Sequence, residues 1–132
     1  MPIILNFVEK CPHSWIYFKS KCYKLLHGTY NWDEANSNCW KHGGHLASVQ
    51  SSKENDFIHK LKGDAATWIG GKKHKTWKWN DGAKWSYTNW NPSEPSGDGN
   101  CIEIYRGWNG KWNDKPCHYK IHAICKRSPH LA

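Results

Sequence analysis

The chain has 132 residues, six cysteines, ten tryptophans and a formal net charge of +8. That length suits one domain with a modest core, and an even cysteine count with no CxxC pair points to three disulfides in an oxidising compartment and away from structural zinc. No segment is long and apolar enough to span a membrane, and the scattered basic residues argue against nucleic acid and towards anionic surfaces such as bacterial envelopes, sulfated glycans or acidic mineral matrices.

Residues 1–10 read as a lead-in. They lack the basic n-region, apolar length and cleavage site of a signal peptide, as expected of a mature or recombinant form or of the ectodomain of an anchored protein. Ile16–Phe18 and Lys21–Leu25 read as the strands of a hairpin flanked by Cys11 and Cys22. A first helix opens at the capping box Asn31-Trp-Asp-Glu34, carries Trp32, Ala35, Cys39 and Trp40 at helical spacing, and stops at Gly43-Gly44. A second opens at Ser51-Ser-Lys-Glu54, continues through Phe57, Ile58 and Leu61, and stops at Gly63.

Beyond residue 65 the pattern changes to short apolar or aromatic runs between turns. Trp68-Ile69-Gly70, Trp77-Lys-Trp79, Ile102–Tyr105, Lys111-Trp112 and Ala123–Cys125 read as strands, with turns at Asp81-Gly82 and Asn109-Gly110. Helices first and strands after predict an α+β domain with an antiparallel sheet. Residues 127–132 form a short tail, and no repeat or internal domain boundary is visible. The irregular segment 82–101 is long for a compact domain unless it is functional or tied by an ion.

That segment and the one after it collect Glu94, Ser96, Asp98, Asn100, Asn113 and Asp114 around Cys101 and Cys117. Hard oxygen donors in a Gly- and Pro-rich loop suit calcium. The same carboxylates are poor candidates for glycoside hydrolysis, which needs one acid with a raised pKa across a cleft, whereas a bound cation would keep them ionised. His42, His45, His118 and His122 are scattered and read as solvated, and Trp68, Trp77, Trp79 and Trp112 as core.

The ordered segments CPHSWIYFKSKCYKL, WDEANSNCWKHGGHLASV, Trp68-Ile69-Gly70-Gly71, WKWNDG, NWNPSEPS, CIEIY, KWND and AICK resemble the landmarks of a C-type lectin-like domain across residues 11–126. Spacing alone leaves fifteen connectivities open; the resemblance implies Cys11–Cys22, Cys39–Cys125 and Cys101–Cys117. It implies the C-type lectin fold, two helices packed on antiparallel sheets with a long calcium-binding loop. It also implies one calcium per chain, held by Glu94, Ser96, Asn113 and Asp114 beside a cis proline, with two vicinal sugar hydroxyls completing the coordination.

Two positions depart from the family pattern. The triplet is Glu94-Pro95-Ser96 where sugar-binding members carry Glu-Pro-Asn or Gln-Pro-Asp, and Gly99 stands where an acid is expected; Asp98, preferred over Asn100, fills that role in this reading. Lys72, Lys73 and Lys75 occupy the region of the family's second calcium and should repel it. The implied function is a secreted, calcium-dependent lectin without enzymatic activity, contacting sugar through Glu94, Ser96, Asn113, Trp108 and Tyr105, with Glu103 as a further candidate. Galactose-type ligands are preferred over mannose or fucose, and microbial glycoconjugates, as in innate immunity, are natural partners; homo-oligomerisation stays open. The alternative is a calcium-poor interaction domain for protein, mineral or ice.

Overall fold

The structure, a computed structural model, describes residues 8–131. Its helices form where local chemistry demands. α1 (Trp32–Lys41) is capped reciprocally: the Glu34 N–H donates to Asn31 Oδ1 at 2.8 Å, and the Asn31 N–H donates to Glu34 Oε1 at 3.0 Å. α2 (Ser52–Lys62) starts where the Glu54 N–H donates to Ser51 Oγ at 3.1 Å, and ends at Gly63 with φ 70°.

The strands are β1 (Glu9–Lys10), β2 (Ile16–Phe18), β3 (Lys21–Leu25), β4 (His45–Leu46), β5 (Thr67–Lys73), β6 (Trp77–Trp79), β7 (Cys101–Ile104), β8 (Trp112–Lys115), β9 (His122–Arg127) and β10 (His130–Leu131). The main sheet runs β2-β3-β9-β5-β7-β8, with β4 on β9 and β6 on β5. Every pairing is antiparallel except β5–β9, which joins the two antiparallel groups in parallel. The fold is that of a C-type lectin, as the resemblance implies.

Alternation along the strands splits the core between the two faces of the sheet. Cys22, Leu46, Trp68, Cys101 and Ala123 face α1 with its buried Trp32, Ala35 and Cys39. Their neighbours Tyr23, Ala47, Ile69, Ile102 and Ile124 face α2 with Ile58. Gly70 lets the chain after β4 cross β5 closely: its N–H donates to the Ala47 carbonyl at 2.8 Å, and a Cβ there would lie 2.4 Å from the Leu46 carbonyl oxygen. Cys11–Cys22, Cys39–Cys125 and Cys101–Cys117 are bonded.

The loop between β6 and β7 has almost no regular structure, and aromatic rings hold it. Trp112 on β8 meets Trp85, Tyr87 and Trp90 of the loop, with ring centroids 6.2, 5.9 and 5.8 Å away, and Trp79 of β6 at 5.5 Å. Trp68, Trp79 and Trp112 are buried, whereas Trp77 is only half-buried. The loop backbone also clips to the free edge of β8, with the Trp112 N–H donating to the Asn89 carbonyl and the Asn91 N–H to the Trp112 carbonyl, at 2.9 and 3.0 Å.

Residues 1–7 of the expected lead-in lie outside the described residues. Its last two residues, with His130 and Leu131 of the expected tail, form the β1–β10 ribbon instead of unattached ends.

Candidate metal centre

β8 is the floor of the site. Asp114, 1% exposed, presents its carboxylate to the loop above. Its Oδ1 accepts from the Ser96 N–H at 3.0 Å, and its Oδ2 from the Gly97 and Gly99 N–H groups at 2.9 and 3.2 Å. The Ser96 N–H also points at Glu94 Oε1, 3.1 Å away. The Ser96 hydroxyl lies 2.7 Å from Asp98 Oδ2 and 3.4 Å from Asp114 Oδ1. The Glu94–Pro95 peptide bond is cis.

The outcome is a triad of carboxylates. Glu94, Asp98 and Asp114 each offer an oxygen within 4.8 Å of the others, and no other such acidic, histidine or cysteine cluster occurs among the described residues. The ion pairs among the described residues are Lys72–Asp33, Lys115–Glu103 and Lys126–Glu54, so no side-chain cation answers the triad. Burial, and then the Asp114 carboxylate, push the Glu94 carboxyl above its ordinary range. Burial acts in the same direction on Asp114, but hydrogen bonding to Glu94 and to the Ser96, Gly99 and Gly97 N–H groups prevails and holds its carboxyl low. Three clustered carboxylates that no side-chain cation answers among the described residues have the donor chemistry of a calcium site.

Gly99 is explained by a close approach. A Cβ there would lie 2.0 Å from the Lys115 carbonyl carbon and 2.1 Å from Pro116 N. No side chain fits where the family carries an acid. The Gly99 N–H is used instead, on Asp114.

Asn113 is treated differently from its neighbours. Its Nδ2 donates to Glu103 Oε2 at 2.7 Å, with Lys115 Nζ 3.5 Å from the same oxygen. Its hydrogen bonds therefore run to Glu103 and not to the triad. Glu103 is fully buried, so it orients Asn113 and has no surface for a ligand, contrary to its reading as a sugar contact.

Trp108 and Tyr105 lie in the β7–β8 turn, beyond the Ile104–Trp112 pair and at the opposite end of the hairpin from Cys101–Lys115. Their rings pack on each other with centroids 4.2 Å apart. The structure thus brings together Glu94, Ser96, Asp98 and Asp114, turns the Asn113 amide nitrogen to Glu103, and sets Trp108 and Tyr105 at the other end of the hairpin.

In the region of the family's second calcium, where none is expected here, Lys72 pairs with Asp33 at 3.2 Å and lies over the Trp32 ring at 4.9 Å.

A family model described as "Lectin C-type domain" matches residues 28–127. The human C-type mannose receptor 2 is 35% identical over 136 residues, covering 96% of this chain but only 9% of that protein. A calcium-independent type II antifreeze protein superposes with a TM-score of 0.90 at 29% identity, covering 96% of this chain and all of that one. The carbohydrate-recognition domain of cow CD23, solved in the presence of a GlcNAc2Man3 oligosaccharide, superposes with a TM-score of 0.85 at 34% identity, covering 92% of this chain and 98% of that one.

Proposed function

The chain belongs to the C-type lectin domain family, and we propose that it is a secreted lectin binding terminal sugars through one calcium ion held by Glu94, Ser96, Asp98, Asn113 and Asp114. The observation that carries this reading is the triad of carboxylates within 4.8 Å of one another with no side-chain cation, in a chain of net charge +8. When bound, calcium supplies coordination positions for two vicinal hydroxyls. Glu94 accepts from one hydroxyl and Ser96 donates to the other, while Asp114 holds the loop closed over β8. Calorimetric titration should find one calcium per chain; a count of two, or none, would overturn the reading. A glycan array run with calcium and with EDTA should show binding only in the first.

The sugar proposed is galactose-type, with the Trp108–Tyr105 pair at the other end of the hairpin offering aromatic surface to a ligand longer than a single ring. Trp108→Ala should weaken sugar binding sharply and leave calcium affinity intact; unchanged sugar affinity would remove the galactose assignment.

A second reading is a calcium-poor interaction domain, for which ice is a candidate ligand. It is favoured by the likeness to the calcium-independent antifreeze protein. A chain that is indifferent to EDTA in both melting and glycan binding would decide for it.

A further inference from the structure

Two cavities adjoin away from the carboxylate triad. The first, about 350 Å³, is lined by Lys21, His45, Asp81, Lys126 and Arg127. The second, about 370 Å³, is lined by Asp33, Lys72, His74, Lys78 and Asn80. They meet at Asn80–Asp81: the Asn80 Nδ2 donates to Asn36, a wall of the second cavity, and lies 3.2 Å from the His45 ring nitrogen in the first.

The cations of this trough are unequally answered. Lys126 is neutralised by Glu54, and Lys72 by Asp33. Among the described residues Lys21, Arg127 and Lys78 have no carboxylate partner. Lys21 Nζ meets only the Ser128 hydroxyl, at 3.1 Å. Arg127 donates to the His42 and Ser128 carbonyls, both at 3.0 Å. Its guanidinium sits against Gly43, where a Cβ would lie 2.8 Å from Nη1. Lys78 stands directly opposite Lys72 in the β5–β6 pair, a like-charge arrangement that weakens a sheet unless something offsets it. Asp33 offsets one lysine only. The single acid of the first cavity, Asp81, turns its carboxylate to the Ser48 hydroxyl and the Ala83 N–H.

Cations without a carboxylate partner line two neighbouring cavities on one face, which fits an extended polyanion better than a single small anion. Oxygens of sulfate esters accept charge-assisted hydrogen bonds from the Arg127 fork and from lysine ammonium groups. The three disulfides place the chain in an oxidising compartment, where sulfated glycans are the polyanions at hand. We propose that the Lys21–Arg127 and Lys72–Lys78 cavities together form a calcium-independent binding track for a sulfated glycan chain.

The test is titration of a heparin-derived octasaccharide in EDTA and in calcium, so that its outcome is independent of the carboxylate site. Equal binding is expected in both buffers. Lys21→Ala with Lys78→Ala, neither in an ion pair among the described residues, should weaken it by about tenfold or more, as loss of a charge-assisted hydrogen bond does. Arg106→Ala with Lys120→Ala removes the same charge beside a third cavity at Ile121 and His122 and should have a clearly smaller effect. Loss of binding in EDTA, an equal loss in the two double variants, or no loss in the first would each overturn the proposal. So would a single-stranded DNA of equal charge that binds as tightly and responds to the variants identically, since sulfate would then not be what is recognised.

Discussion

At the scale of single residues, Gly99 decides more than its size promises. It stands where the family carries an acid, and restoring one is the obvious route to a tighter metal site. The structure predicts the reverse. A side chain there would drive into the Lys115–Pro116 backbone and push the Gly99 N–H off Asp114. Gly99→Glu should destabilise the fold by about 1–3 kcal/mol, the usual cost of overpacking, and weaken calcium binding. A melting curve paired with a calcium titration would check it, and a tighter site would refute it. Asp114→Ala should leave the Gly97 and Gly99 N–H groups without their acceptor and cost about 3 kcal/mol even in EDTA, measurable by denaturant unfolding. Glu94, Ser96, Asp98 and Asp114 were legible because oxygen-bearing side chains announce their chemistry. The N–H groups of Gly97 and Gly99, and the diversion of Asn113 to Glu103, were not, because they depend on backbone approach and burial that residue type does not encode.

At the scale of elements, both helices were legible from their caps, since Asn31–Glu34 and Ser51–Glu54 contacts lie within one turn. The strands without a sequence signature, β1, β4 and β10, are two residues long and exist only through partners elsewhere in the chain. No periodicity marks them. The parallel β5–β9 pair was hidden for the same reason. What secures α2 to the sheet is more specific than its apolar stripe. Glu54, 7% exposed, accepts from the Tyr23 hydroxyl, from the Gln50 N–H at 2.7 Å and from Lys126. One turn position later, Asn55 accepts from Trp112 Nε1 at 2.8 Å and donates to the Gly110 carbonyl at 3.0 Å. Glu54→Ala should therefore cost about 1–3 kcal/mol by leaving the Tyr23 hydroxyl and the Gln50 N–H without their acceptor, read from urea unfolding. A loss under about 1 kcal/mol would place the pair among exposed bridges instead.

At the scale of the whole molecule, two linkages to solution conditions follow. If the triad holds calcium, a hundredfold excess over the dissociation constant adds about 2.7 kcal/mol to stability, so the melting temperature should fall on adding EDTA. The second linkage is to acid. Burial, reinforced by the Lys62 ammonium and opposed by Asp56 and Asp64, lowers the His59 pKa, and its Nδ1 is buried with no hydrogen-bond partner among the described residues. The folded chain therefore resists a proton that the unfolded chain accepts. Stability from this group is complete above about pH 6.5 and declines below it. His59→Gln should flatten the decline between neutral and mildly acidic pH; an unchanged profile would assign the acid sensitivity to other groups.

The β1–β10 ribbon has a consequence for architecture. Its two strands are neighbours in an antiparallel pair, about 5 Å apart. The points where the polypeptide enters and leaves the domain are therefore side by side. A unit built this way behaves as a cassette. It can be spliced into a loop of another protein, or strung in tandem on a stalk, without prising the host's flanking segments apart. It can also be circularly permuted by joining those ends with a short linker and opening the chain at an exposed turn elsewhere.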